Sequence, residues 1–140
     1  MAEAIRFHFD VDGENFSSAG EASVMVKKKL RQLGFSPDVM RRVSIAMYEG
    51  EINMVIHAHG GTADVIVNDG CIEIILADKG PGIPDISKAM QEGFSTASDN
   101  IRALGFGAGM GLPNMKKYTD YMQIDTEIGV GTTITMRVNY

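Results

Sequence analysis

The pattern of apolar positions changes period within the first third of the chain. Over residues 5–11 apolar side chains occupy every second position, which is the period of a half-buried strand. Over residues 18–33 they recur at every third or fourth position, which is the period of an amphipathic helix. Gly34 follows this run and is typical of a helix end. The sequence therefore predicts a strand followed by a helix.

A second helix has a start signal with a physical cause. Ser36 offers a side-chain oxygen to the unpaired N–H groups of the first turn, and Pro37 occupies a position where its missing N–H costs little. Asp38 lies near the positive end of the helix dipole. The apolar pattern continues from there and predicts a helix over residues 37–57.

Two polar residues share one face of this second helix. Glu49 and Asn53 are four positions apart, so their side chains lie about one turn from each other. Gly50 stands beside them, although glycine in a helix interior costs about 1 kcal/mol relative to alanine. We therefore expect another part of the molecule to approach that turn closely.

The rest of the chain predicts two hairpins and two further helices. The predicted strands and helices cover 62–68, 71–77, 85–92, 109–118, 121–127 and 132–139. Asp69-Gly70 joins the first hairpin, and such a pair is the strongest short hairpin signal. These elements predict an α+β fold: a two-layer α/β sandwich with a mixed, mostly antiparallel sheet of about five strands and three main helices on one face. We expect residues 1–140 to form a single domain.

Two glycine-containing loops flank a long polar segment. The first is Asp78-Lys79-Gly80-Pro81-Gly82, at the end of a predicted strand, and the second has glycines at 105, 107, 109 and 111. Glycines allow backbone N–H groups to approach an anion closely, whereas a carboxylate suits a base amine. The spacing of neither loop matches the Walker or the dinucleotide pattern. Turns and a helix cap explain each loop alone, but the two together predict a nucleotide site of another kind.

Composition narrows the possible partners. The chain has 140 residues, a formal charge of -5, 44% hydrophobic and 22% charged residues. The negative charge argues against nucleic acid as the main partner, because such binding depends on Lys and Arg. Cys71 is the single cysteine, and no apolar run is long enough for a membrane span. We therefore expect a cytoplasmic protein with no membrane association that binds a protein or a small molecule.

The ordered motifs point to a family. They are Glu49-x-x-x-Asn53, Asp78-x-Gly80-x-Gly82, the glycines from Gly105 to Gly111, and Gly131-Thr132-Thr133. This set resembles the GHKL ATPases, which include gyrase, Hsp90, histidine kinases and MutL. It is most similar to the small stand-alone members, the anti-sigma factor and switch serine/threonine kinases of bacterial partner-switching modules. The resemblance covers nearly the whole chain and implies the histidine-kinase-like ATPase fold.

The resemblance also implies site roles, with ATP or ADP and Mg²⁺ as ligands. Asn53 would bind Mg²⁺, and Glu49 would act as the general base, although its position alone favours a solvated helix face. Asp78 would accept a hydrogen bond from the adenine amine, with Thr132 sharing a bridging water. The remaining ligand-binding positions would be Gly80 and Gly82 near the base, and Gly105, Gly107, Gly109, Met110, Gly111 and Leu112 near the phosphates.

The segment 83–104 would form the ATP lid. Within it, Arg102 either reaches the γ-phosphate or is a surface residue. The motif after Glu49 departs from the small kinases, because Gly50-Glu51 replaces the usual small residues. The extra carboxylate of Glu51 is expected either to raise the pKa of the base or to face solvent.

Three functions are compatible with these motifs. The first is a serine/threonine protein kinase and anti-sigma-type regulator that phosphorylates a small STAS-domain antagonist. The second is a nucleotide-gated module that sequesters a sigma factor or another regulator without phosphoryl transfer. The third is a stand-alone ATPase domain of a histidine-phosphorylation system. Glu49 favours the first, because a pure nucleotide-gated binder needs no base. Relatives pair through the first strand and helix, so the resemblance also allows a homodimer.

Overall fold

A computed structural model describes residues 4–13, 19–58, 60–83, 86, 90 and 111–140. Within these residues the chain forms five strands and three helices. In chain order they are β1 (Ile5–Asp12), α1 (Glu21–Gln32), α2 (Pro37–His57), β2 (Gly60–Val67), β3 (Cys71–Ala77), α3 (Gly111–Lys117), β4 (Tyr121–Glu127) and β5 (Gly131–Asn139).

The strands form one sheet in the order β1-β2-β3-β5-β4. Both predicted hairpins are confirmed, and the first is closed by the Asn68 N–H group, which donates to the Cys71 carbonyl at 2.8 Å. All four pairings between the described strands are antiparallel, so the sheet lacks the parallel pair that a mixed sheet would contain there. The α+β fold class is confirmed.

The core lies between one face of the sheet and the helices. Strand alternation directs one set of side chains into it, and in β3 this set is Ile72, Ile74 and Leu76, at most 2% exposed. The helices contribute completely buried residues, among them Leu30, Val43, Met47 and Met115. These residues and the strand residues belong to one hydrophobic cluster, which fixes α2 and α3 relative to the end of β3.

The element boundaries follow local chemistry. Helix α2 begins and ends as predicted, and the Ser36 hydroxyl accepts from the Val39 N–H group at 3.3 Å. Helix α1 begins three residues later than predicted, because Gly20 precedes it in a left-handed conformation with φ of 95°. Strand β2 begins earlier than predicted, at Gly60, since its pairing with β1 continues as far as Asp12.

Only three positions of the segment 83–104 are described. The Met90 N–H group donates to the Ile86 carbonyl at 2.9 Å, and Ile83 and Met90 pack against the core. The rest of the predicted helix over 85–92 and the first part of the helix over 109–118 lie outside the described residues. Among the described helices, none has the length and apolar character needed to cross a membrane.

Candidate functional site

Glu49 and Asn53 lie where α2 is approached by other elements. Both side chains are half-buried, whereas Gly50 between them is buried. A Cβ atom at Gly50 would lie 2.0 Å from Cδ1 of Leu76 and 3.5 Å from the Met115 sulfur. The close approach predicted from the glycine is therefore confirmed: β3 and α3 both reach this turn.

Helix α3 runs antiparallel to α2 along the face that carries these residues. Gly111, at the start of α3, lies against Asn53, because a Cβ there would be 3.3 Å from the Asn53 Oδ1 atom. One turn later, the Asn114 side-chain amide donates to Glu49 Oε1 at 3.3 Å. Tyr118 follows the helix and lies beneath the Arg41 guanidinium at 5.3 Å. The structure thus brings Glu49, Asn53 and Gly111 together, and Asn114 joins this group.

Asp78 is fixed at the end of β3 by backbone groups. Its Oδ1 atom accepts from the N–H groups of Gly80 at 2.9 Å and Thr132 at 3.1 Å. Its own N–H donates to the Thr132 carbonyl at 2.9 Å, which continues the pairing of β3 with β5. Its second oxygen, Oδ2, has no hydrogen bond to a described residue and can accept from a ligand amine.

The glycines around Asp78 are required by protein contacts. A Cβ at Gly80 would lie 2.6 Å from the Ala58 Cβ, and one at Gly82 would lie 2.7 Å from the Glu127 carbonyl oxygen. A Cβ at Gly131 would lie 2.1 Å from the Asp78 carbonyl oxygen. Any side chain there would therefore push the loop away from its supports. These contacts hold the loop between the end of α2 and the β4–β5 turn, whatever the glycines also do for a ligand.

Two threonines connect the Asp78 loop to the β4–β5 hairpin. Thr126 and Thr132 are paired across the two strands, and their hydroxyl oxygens are 2.9 Å apart. The Thr126 hydroxyl also accepts from the Ile83 N–H group at 2.9 Å. Thr132 therefore lies beside Asp78, which it contacts through its backbone, and it contacts Thr126 through its hydroxyl. Thr126 was missed, and its cross-strand pairing with Thr132 is the signal that could have revealed it.

One of the two expectations for Glu51, that its side chain faces solvent, was wrong. Its side chain is only 2% exposed, so it does not face solvent. Its carboxylate accepts from the N–H groups of Gly20 at 3.0 Å, Ala22 at 3.3 Å and Ser23 at 2.6 Å, at the start of α1. Burial raises the pKa of the Glu51 carboxyl, and these N–H groups oppose the rise. The hydrogen-bond partners of Glu51 are therefore the backbone N–H groups at the start of α1 and not the proposed base.

The remaining predicted site residues divide into two groups. Leu112 is described, and its side chain packs in the core at 5% exposure rather than lining a surface. Gly105, Gly107, Gly109, Met110 and Arg102 lie outside the described residues. In the part of the chain that the structure describes, no three His, Cys, Asp or Glu side chains are grouped closely enough to hold a metal ion.

Comparisons with known proteins show the family to which the chain belongs. The family model of histidine kinase-, DNA gyrase B- and HSP90-like ATPases matches residues 41–140. The anti-sigma F factor of Geobacillus stearothermophilus is 28% identical, with 100% of this chain and 94% of the relative covered. The serine/threonine-protein kinase RsbT of Bacillus subtilis is 34% identical, with 74% and 75% covered.

Solved structures share the fold. A crystal structure of the RsbU and RsbW domains of a Mycobacterium tuberculosis protein matches with a TM-score of 0.64 and 17% identity, over 96% of this chain and 32% of that one. The mycobacterial sensor histidine kinase MprB matches with a TM-score of 0.54 and 17% identity, over 96% and 97%. The family model spans both the Glu49–Asn53 face and the Asp78 loop. This chain therefore belongs to the family of histidine kinase-, DNA gyrase B- and HSP90-like ATPases.

Proposed function

We propose that this protein is an ATP-dependent serine/threonine protein kinase and an anti-sigma-type regulator. The observation that carries the proposal is the joint placement of Glu49 and Asn53. A carboxylate and an amide lie on one face of α2, half-buried, beside the helix that follows the glycine-rich sequence. This pairs a proton acceptor with a metal ligand at one site. The two curated relatives carry names of the same functional class.

ATP is the nucleotide that the family match implies. In this proposal the adenine amine donates to Asp78 Oδ2, because the Oδ1 atom is already occupied by two backbone N–H groups. Gly107, Gly109 and Gly111 supply backbone N–H groups to the phosphates. The segment 83–104 acts as the lid, and its first residue is attached to the site through Thr126. Arg102 is a candidate for stabilising charge on the γ-phosphate.

The chemistry of Asn53 fits Mg²⁺. Its amide offers a hard oxygen donor beside α3, and the described residues contain no cage of carboxylates that would bind a metal without nucleotide. Mg²⁺ in kinases is typically held by few protein oxygens, with the phosphates and water completing an octahedron. When bound, it would neutralise charge on the phosphates. A single amide ligand therefore predicts that the metal binds together with the nucleotide.

Glu49 supplies the acid–base step of the proposed reaction. Its carboxylate accepts the proton of a serine or threonine hydroxyl on the partner. The hydroxyl oxygen forms a bond to the γ-phosphorus, the bond from that phosphorus to the β,γ-bridging oxygen breaks, and ADP leaves with that electron pair. Because one Glu49 oxygen is held by Asn114, the other is available to the hydroxyl.

The partner is proposed to be a small STAS-domain antagonist, with a sigma factor or another regulator as the protein that is sequestered. The sigma factor follows the name of the anti-sigma relative, and the STAS-domain antagonist follows the resemblance of the motifs alone. A cytoplasmic location follows from the same proposal. Pairing of two chains remains a prediction, and β1 offers the edge for it, since it ends the sheet and Ile5 is 41% exposed.

Transfer of phosphate to a protein tests the proposal directly. The full chain is incubated with γ-labelled ATP, Mg²⁺ and STAS-domain proteins from the same genome. We expect acid-stable label on one of them, and a loss of at least about a hundredfold in Glu49→Gln with ATP affinity retained. Asp69→Asn is the control, because it exchanges one exposed carboxylate for an amide in the distant β2–β3 turn, where asparagine serves equally well.

Other results of this labelling experiment would favour one of the alternative functions. Nucleotide-dependent binding of a partner without transfer would replace the kinase proposal by a nucleotide-gated module. Acid-labile label would indicate histidine phosphorylation in trans. Full phosphoryl transfer by Glu49→Gln would show that Glu49 is not the general base, although the proposed kinase activity would be retained.

A further inference from the structure

Asn114 makes a contact that neither the motifs nor the family match assigns. Its side-chain amide donates to Glu49 Oε1 at 3.3 Å, from a position one turn after Gly111. This is the only hydrogen bond that the Glu49 side chain makes to a described residue. The orientation of the carboxylate within the described structure therefore depends on α3, which lies 65 positions further along the chain.

An amide is suited to orienting a base without replacing it. Asparagine carries no charge and does not titrate, so it neither accepts the substrate proton nor forms an ion pair with the carboxylate. Its N–H group occupies one carboxylate oxygen and leaves the second for a hydroxyl. A hydrogen bond of this kind restricts rotation of a long side chain, and correct orientation is a large part of the rate of proton transfer.

The position of α3 is itself coupled to the rest of the site. Gly111 lies against Asn53, and Met115 reaches Gly50 between the two site residues. These contacts are on one face of α3, together with Asn114. A shift of this helix along α2 therefore moves the partner of Glu49 and the neighbour of Asn53 at the same time.

The contact has little to do with holding the helix in place. Leu112 is 5% exposed and Met115 is completely buried, so the apolar side chains anchor α3. Asn114 is half-buried, and Glu49 is the only described residue to which its side chain is hydrogen-bonded. A single hydrogen bond between two half-buried side chains contributes modestly to stability, so its loss is compatible with a folded protein.

We propose that Asn114 is the positioning residue of the general base and links its orientation to the helix that follows the glycine-rich sequence. This inference rests on the proposed function, since it assumes that Glu49 acts as a base. It assigns Asn114 no contact with ATP or with the partner. Asn114 acts through Glu49 alone, and that restriction makes the inference testable.

The test is a kinetic double-mutant cycle on the full chain. The variants are Asn114→Ala, Glu49→Gln and both together, and the measurements are kcat for phosphoryl transfer, the ATP dissociation constant and the Tm. We expect Asn114→Ala to lower kcat about tenfold and to leave ATP affinity and Tm nearly unchanged. In the Glu49→Gln background it should cause no further loss, because the residue it acts through is already gone.

Two further variants separate positioning from a structural role. Lys116→Ala changes an exposed residue of the same helix and should behave as wild type. Asn114→Asp places a second carboxylate beside Glu49, so the acidic limb of the pH–rate profile should move to higher pH, since like charges disfavour ionisation. An unshifted profile in that variant would contradict the inference.

The outcomes distinguish the positioning role of Asn114 from the kinase activity itself. Normal kcat in Asn114→Ala, or equal losses with and without Glu49, overturns the inference and leaves the kinase proposal intact. A wild-type protein that transfers no phosphate to any partner overturns both.

Discussion

At the scale of single residues, Gly50 is a tightly enclosed position of the site. It is buried in α2, directly after the proposed base, and Leu76 and Met115 approach it from β3 and α3. The sequence alone indicated this restriction, because a glycine in a long helix is unfavourable unless something requires it. What it could not show was the neighbour, since Leu76 reaches the helix only through the packing of the sheet.

Replacing Gly50 by alanine should therefore destabilise the fold. The new methyl group would lie 2.0 Å from Leu76 Cδ1, and overpacking of this kind costs about 1–3 kcal/mol. The helix preference of alanine returns at most about 1 kcal/mol. We expect a net loss of about 1 kcal/mol in the free energy of unfolding, measured in urea.

A second variant checks the cause of this loss. In a Leu76→Ala background the clash is absent, and Gly50→Ala should then be neutral or stabilising. An equal loss in both backgrounds would show that Leu76 is not the obstacle and that the backbone of α2 is strained instead.

At the scale of elements, the start of α1 depends on α2. Gly20 provides no side chain to cap the helix, and Glu51 supplies the acceptor from 31 positions away. A buried carboxylate at the positive end of a helix satisfies N–H groups that would otherwise be unpaired. Glu51 therefore joins α1 to the helix that carries Glu49 and Asn53.

The pH dependence of stability should reveal Glu51. Its folded-state pKa is raised above the ordinary value of 4.5, so its contribution is complete below that value and declines as the pH rises through the folded-state pKa. Glu51→Gln turns an NH₂ group toward backbone N–H donors. Below pH 4.5 this substitution should lower the free energy of unfolding by about 1–3 kcal/mol. The deficit should then shrink as the pH rises from 4.5 upward, in urea unfolding measured at successive pH values.

Glu21→Gln is the matched control for Glu51. It removes an exposed carboxylate from the first turn of the same helix, where the substitution should cost at most about 1 kcal/mol. A deficit in Glu51→Gln that grows with pH would mean that the backbone N–H groups outweigh burial.

The predicted and observed bounds of the helices and strands show which elements a sequence can predict. The bounds of α2, β3 and β4 were predicted correctly because their signals are local: a Ser-Pro-Asp start, an Asp-Gly turn and strict alternation. The start of α1 was predicted incorrectly because its cap comes from another helix. Glu51 was misread for the same reason, since its partners become neighbours only after α1 and α2 have packed.

At the scale of the whole molecule, ligand binding should appear as stability. A ligand that binds only the folded state at a hundred times its dissociation constant adds about 2.7 kcal/mol. We expect ATP to raise the Tm of the wild type and Asp78→Asn to abolish this shift. The asparagine oxygen can still accept from Gly80 and Thr132, so the unliganded variant should fold normally. Its amide group, however, presents a donor to the adenine amine.

Asp69→Asn provides the comparison, and it should keep the full ATP-dependent shift in a thermal melt. If Asp78→Asn also kept it, the carboxylate would not be the acceptor of the adenine amine, and the nucleotide would have to be recognised elsewhere in the molecule.

The site as a whole was only partly predictable. Glu49, Asn53, Asp78 and the glycines of its loop follow from spacing, because each motif is local. Asn114 and Thr126 were missed, since their importance depends on how a distant helix and hairpin dock. Asn114 lies 65 positions from Glu49, and Thr126 lies 43 from Ile83.

The position of β5 between β3 and β4 also has a consequence during synthesis. The Asp78 carboxylate is held by a backbone group 54 positions later in the chain. At the usual rates of translation, the ribosome needs roughly 3 to 11 s to make that interval. During this time β1, β2 and β3 can pair with one another, but the proposed acceptor for adenine is incomplete. The proposed nucleotide pocket of a nascent chain therefore becomes complete only after the last strand of the sheet has left the exit tunnel.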